Sequence, residues 1–305
     1  MCETPQVPTR TPPPADWPHR ELLSDVKDAL HSLPFYFQTE TVIEGISATD
    51  IFTLNSALGA TIENQVVDTL NHMRSVWDPD ERYALYSFVR QSQTFPDVLL
   101  RRSPGAGPAE DDILLGIELK GWYLLAKEQE PSFRFQVTPG ACACQDLLVV
   151  VPWVLNRVIS GSPRVLPPYI EYSRYAAEYR NHHWRFMRST KGNRDIQTPP
   201  NVCPYPAKMD HIADAPADDR GGNFGRFART GLMDSYLQRT RAEELCGISA
   251  EYWLRFFKIF QDQSDATRVR QEVERLRGKL QSRQTDERLS ALLEILEQTD
   301  RLAEM

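Results

Sequence analysis

Hydrophobic positions recur with helical spacing near both ends of the chain and with strand-like spacing in its middle. From His19 to Leu33 the residues Leu22, Leu23, Val26, Leu30 and Leu33 return every three or four positions, the buried stripe of a helix. Tyr36 to Ile46 carries strand-forming residues. Ala48 to Trp77 returns to helical spacing: Ile62, Val66, Val67, Leu70 and Met73 share one stripe, with Gly59 as a candidate break. Then the period changes. Val98–Arg101 and Ile113–Lys120 are short apolar runs on either side of Ser103-Pro104-Gly105-Ala106-Gly107-Pro108, a turn sequence. Phe133, Phe135 and Val137 alternate with Arg134 and Gln136, and Leu147–Val151 is unbroken, as suits a strand buried on both faces.

Residues 173–188 read as a basic helix, 189–228 as loops, and Glu251–Gln261 as a helix rich in aromatic residues. Two amphipathic helices close the chain, marked by Val269, Val273, Leu276 and Leu280 and by Leu289, Leu292, Leu293 and Leu296, the second capped by Thr285. This order predicts the α/β class: a central mixed β-sheet flanked by helices, with a helical C-terminal extension. Residues 1–18, with six prolines, read as a disordered arm, 19–260 as the main domain and 261–305 as a terminal helical pair.

A net charge of -7 does not announce a nucleic-acid binder, but a sum can hide a basic cleft, so local charge matters more. The N-terminus lacks a basic start followed by an apolar run, and Leu147–Leu155 is too short to cross a bilayer; a cytoplasmic protein is expected. The five cysteines form no paired CxxC clusters, and Cys142, Cys144, Cys203 and His211 make only a weak zinc candidate.

The chemistry concentrates in Phe95-Pro96-Asp97 and Ile117-Glu118-Leu119-Lys120. Side chains alternate along a strand, so Glu118 and Lys120 project together while Leu115, Ile117 and Leu119 take the opposite face. If the two runs fold into an antiparallel hairpin with residue 102 against 113, Asp97 lies opposite Glu118, with Cβ atoms about 4.5–5.5 Å apart. Two carboxylates that close repel unless a proton or cation lies between them, and hard oxygen donors suit Mg²⁺. Such an ion acts as a Lewis acid on a phosphate and acidifies a water, while Lys120 steadies charge on the phosphoryl oxygens. Asp25-Val26-Lys27 and Pro79-Asp80 repeat fragments of this pattern, but the first lies on an amphipathic helix and the second is placed to cap a helix starting near Glu81.

Pro96-Asp97 with Glu118-Leu119-Lys120, flanked by apolar runs, resembles the PD-(D/E)xK nuclease superfamily. The resemblance covers about residues 48–160 and implies a restriction-endonuclease-like core, Asp97 and Glu118 as Mg²⁺ ligands, Lys120 at the reacting atoms and 5′-phosphate products. It also implies a catalytic glutamate on a preceding helix that joins the metal site, and Glu63 is the matching residue. More loosely, to about residue 260, the chain resembles type II restriction endonucleases. That wider likeness includes Arg180-Asn181 after Ala176-Ala177-Glu178-Tyr179, and Gly221-Gly222-Asn223-Phe224-Gly225-Arg226.

Double-stranded DNA is the expected partner. Between residues 173 and 230, Arg180, Asn181, Arg185, Arg188 and Lys191 interleave with Tyr179, Trp184 and Phe186, and Arg220, Asn223, Arg226 and Arg229 follow in a glycine-bearing stretch. Arginines and lysines neutralise phosphates, and arginine also reads guanine edges. The terminal helices either pack on their own domain or form a homodimer contact, which two-fold cutting favours. Three readings stand: a site-specific restriction endonuclease, another nuclease of the superfamily in repair or defence, and a DNA-binding relative without catalysis. The chain has neither GxxxxGK(S/T) nor GxSxG, which argues against a motor-linked nuclease and a serine hydrolase.

Overall fold

The computed structural model describes residues 6–44, 51–91, 93–105, 112–189, 192–219, 221, 223–261 and 266–281. Helix α1, Arg20–Tyr36, buries Leu22, Leu23, Val26, Ala29, Leu30 and Leu33. Each buried leucine contributes about 1.5–3 kcal/mol, so this stripe, more than any end cap, holds the helix. Helix α2, Leu54–His72, is followed by the single turn α3, Arg74–Trp77. The strands are β1 (Tyr86–Arg90), β2 (Val98–Arg102), β3 (Ile113–Tyr123), β4 (Leu147–Leu155), β5 (Pro163–Val165) and β6 (Tyr169–Tyr172). They form one mixed sheet in the order β1-β2-β3-β4-β5, with β6 also paired to β4. Neighbours run antiparallel except β3 and β4, which are parallel.

All nine residues of β4 are buried, the two-sided burial its unbroken apolar run predicts. Helix α2 lies on β1 and β3, while α4 (Ser173–His182) packs against β4 and β6. Helices α5 (Asp234–Ala242), α6 (Ala250–Gln261) and α7 (Ala266–Gln281) follow. The chain is thus a mixed α/β protein with helices around a central mixed sheet. No helix among the described residues is long and apolar enough to cross a membrane.

Several local expectations are corrected. Gly59 does not break α2; its carbonyl lies 3.4 Å from where a Cβ of Gly121 would stand, so it is Gly121 that faces the helix backbone at contact distance, while a Cβ at Gly59 would meet nothing within 4 Å. The 36–46 stretch is no strand over its described part, and only Ile43 pairs, with Gly161. Phe133–Val137 likewise forms isolated bridges, Arg134 with Arg226 and Val137 with Ala213. Its partners come from distant loops, not from a sheet edge. No helix starts at Glu81, because the Asp78 carboxylate accepts the Tyr83 N–H and turns the chain into β1. The described part of the proline-rich arm is not free: Arg10 bridges the buried Glu171 at 2.7 Å and lies over the Tyr175 ring. A buried carboxylate needs a cation, and the arm supplies it. The second terminal helix lies outside the described residues.

Candidate active site

Strands β2 and β3 pair with Val98 against Ile117 and Leu99 against Gly116, and the same register carried back one residue sets Asp97 opposite Glu118. At the far end the simple hairpin fails. Leu100 pairs Leu115 but Arg101 pairs Ile113, so Leu114 is an extra residue in a bulge and the Arg102 N–H bonds to Asp112 instead of pairing with residue 113. The acids nevertheless meet, because the bulge lies on the loop side of them.

Asp97, Glu118 and Lys120 converge. Lys120 Nζ lies 2.7 Å from Asp97 Oδ2 and 3.0 Å from Glu118 Oε1, and the Leu119 N–H donates to Asp97 Oδ2 at 3.2 Å. Burial, then the charge of Asp97, pushes the Glu118 carboxyl up to about 7 against the pull of Lys120. Burial draws the Lys120 ammonium down, but the charges of Glu118 and Asp97 outweigh it and hold it above the ordinary lysine range. The three groups therefore balance one another: two acids forced together, one cation between them.

Gly116 makes this geometry attainable. A Cβ there would stand 2.3 Å from Pro96 Cγ and 2.9 Å from Asp146 Oδ1, so only glycine admits the Pro96 ring that leads into Asp97. Asp146, fully buried at the foot of β4, accepts the Gly116 N–H at 2.7 Å, the Ala143 N–H at 2.8 Å and the Tyr205 hydroxyl at 3.1 Å. Burial raises its carboxyl to about 6 despite these donors. Sequence reasoning passed over Asp146; its one signal is an acid directly before a fully apolar strand.

Glu63 reaches the same region from α2, one turn after Gly59. Its Oε1 accepts the Gly121 N–H at 3.1 Å and its Oε2 accepts Arg90 at 2.8 Å. Burial raises its carboxyl, and the Gly121 hydrogen bond works the other way. Arg90, which also bonds Asn64 and the Ala60 carbonyl, is a second residue that sequence pattern did not reveal.

The donor set fits a hard divalent cation in part. Asp97 and Glu118 present carboxylate oxygens on either side of one ammonium, the arrangement a cation would also satisfy. Among the described residues no three His, Cys, Asp or Glu side chains gather to hold a metal ion. Mg²⁺ is commonly held by one or two carboxylates and completes its shell with water and phosphate oxygens. A cavity of about 230 Å³ opens on the pair and is lined by Phe95, Asp97 and Glu118 together with Ala207, Lys208 and Asp210. A larger cavity of about 440 Å³ along Pro199–Tyr205 shares Ala207 and Asp210 but includes neither Asp97 nor Glu118.

The candidate DNA-binding residues divide. Arg180 and Asn181 are inside the protein, contrary to a DNA-contacting role. The Arg180 guanidinium, 2% exposed, donates to Asp214 at 2.5 Å, to Asn181, and to the Phe135 and Val137 carbonyls, while Asn181 also donates to Asp214. Their α4 face packs inward to secure the irregular 133–137 segment, which has no sheet partner. Helix α4 ends at His182 in a π-turn, His183–Met187, so Arg180, Trp184 and Arg188 do not share one regular face. Arg188 stacks on Trp184, its guanidinium carbon 3.4 Å from the ring centroid, and Arg185 is exposed. Asn223 and Arg229 are exposed and bonded to each other, with Arg229 also paired to Glu130, and Arg226 is half-buried. Lys191 and Arg220 lie outside the described residues.

No family model, no curated protein and no solved structure matches this chain.

Proposed function

We propose that this chain is a Mg²⁺-dependent DNA endonuclease of the PD-(D/E)xK kind, and specifically a type II restriction endonuclease that cuts double-stranded DNA at a defined site. One observation carries the reading: Asp97, just before β2, and Glu118, on β3, converge on Lys120 at the mouth of an open cavity. A β2–β3 hairpin bearing the acids, followed by a strand parallel to β3, supports the restriction-endonuclease-like core that the motif implies. Mg²⁺ held by Asp97 and Glu118 would supply Lewis acidity toward the scissile phosphate. Lys120 stabilises negative charge that develops on the phosphoryl oxygens, and its ammonium stays charged at neutral pH because both acids favour that form. Glu63, with both oxygens engaged by Gly121 and Arg90, acts as a positioning residue on β3. Exposed Arg185, Asn223 and Arg229, with Arg188, are the surface groups offered to phosphates. Two copies acting as a homodimer would cut the two strands of a two-fold site.

Incubation with unmodified phage DNA and Mg²⁺ tests the proposal. Discrete fragments with 5′-phosphates are expected. A smear reduces the reading to a nuclease without a site; DNA bound but intact leaves a binding protein; DNA neither bound nor cut removes the proposal. Supercoiled plasmid converted to linear product with little nicked intermediate is expected of the dimer.

A further inference from the structure

The cavity that Asp97 and Glu118 line is also lined by a turn that no motif marks. Ala207 to Asp210 closes on itself: the Asp210 N–H donates to the Ala207 carbonyl at 2.9 Å, and the Asp210 carboxylate accepts the Ala207 N–H at 2.8 Å. Both legs are fixed. On one side the Tyr205 hydroxyl donates to buried Asp146, and the Gln145 amide donates to that hydroxyl. On the other, the Thr138 N–H donates to Ile212, Ala213 bridges Val137 and the Asp214 N–H donates to Gln136. Asp146 thus ties the turn to Gly116, two residues from Glu118, so the turn and the acid pair share one support.

Met209, on this turn, is 92% exposed, the most exposed large hydrophobic among the described residues. Single exposed hydrophobic side chains are common; this one is carried by a turn whose two legs are fixed by hydrogen bonds next to the cavity. Beside it, Lys208 is the one cation among the described residues lining the cavity, and it forms no ion pair with a described residue. A cation and an apolar tip are the two contacts a nucleic-acid groove accepts: ammonium on a phosphate oxygen, and a methionine against base edges or between base steps.

We propose that the Ala207–Asp210 turn is a DNA-gripping finger, in which Lys208 holds the phosphate neighbouring the scissile one and Met209 enters the adjoining groove. This rests on the nuclease reading of the Asp97–Glu118 pair. The Asp210 carboxylate, turned to the Ala207 N–H, is the acid nearest in sequence to Lys208, and that hydrogen bond occupies one of its oxygens.

The test uses the full chain and a short fluorescein-labelled duplex of random sequence in EDTA, with affinity read by anisotropy across a salt series. Lys208→Ala should lower the slope of log affinity against log salt by about 0.9, one phosphate contact, with Lys208→Arg restoring it. Met209→Ser should weaken binding about fivefold at every salt concentration and leave the slope unchanged, as loss of an apolar contact does. Both side chains are exposed, so unchanged thermal unfolding is expected and checks that the fold survives. Wild-type slope and affinity in both variants would overturn the finger while leaving the nuclease proposal intact, provided wild type binds and cuts DNA. Failure of wild type to bind any duplex would overturn both, so the two failures are distinguishable.

Discussion

Replacing Arg180 by methionine would strand a buried acid, and the size of the loss follows from what the guanidinium touches. It holds Asp214, the Asn181 side chain and two main-chain carbonyls, those of Phe135 and Val137. Methionine fills much of the volume and makes none of these bonds. Asp214 is 1% exposed, so without the guanidinium its carboxylate loses its ion-pair partner inside the core. Removing one partner of a buried pair costs about 3–5 kcal/mol. Urea unfolding followed by tryptophan fluorescence would measure the loss. With a slope of about 3 kcal/mol/M, the midpoint should fall by about 1–1.7 M. Arg185→Ala, an exposed control, should stay within about 0.5 kcal/mol of wild type. A variant as stable as wild type whose DNA affinity drops would refute this reasoning and return Arg180 to the DNA surface.

Asp97→Ala and Glu118→Ala should each abolish plasmid cleavage while preserving duplex binding in EDTA, Lys120→Ala should impair cleavage severely, and Glu63→Ala should reduce it less; normal turnover by either acid variant would remove that acid from the mechanism. Gly116→Ala should destabilise by about 1–3 kcal/mol and cut cleavage, since its Cβ would collide with Pro96, whereas Gly59→Ala, with nothing within 4 Å, should stabilise α2 by about 0.5–1 kcal/mol in thermal unfolding. Asp146 should make stability fall as pH rises. Its folded-state value, about 6, lies above the ordinary aspartate value of 3.8, so its contribution is fully present below about pH 4 and lost as pH climbs through 6. Asp146→Asn should flatten that part of the profile of urea midpoint against pH, and an unchanged profile would show that another group is responsible.

Periodicity determined the elements that bury one stripe or one strand. Leu22 to Leu33, Ile62 to Met73 and Leu147 to Val151 became α1, α2 and β4 because spacing alone states which face must leave water. The same alternation put Glu118 and Lys120 on one side of β3, and the turn sequence between the strands brought Asp97 across from them. It misled where a polar pattern hides its partners. Arg180 sits in a run of arginines that looks solvated, and only the fold reveals Asp214, distant in sequence, waiting inside. Phe133–Val137 alternates like a strand yet has no sheet edge to join.

What the sequence by itself determined, then, is the mixed α/β class, the buried strand β4 and the three residues that converge at the candidate site, all consequences of local spacing. Tertiary structure decided the rest: which arginines face water, that Asp146 supports both Gly116 and Tyr205, that Glu63 is held by Arg90, and that Lys208 lines the same cavity as Glu118. These depend on pairs far apart in the chain, whose meeting follows from strand order and loop closure, and no local pattern of hydrophobic and polar residues encodes that.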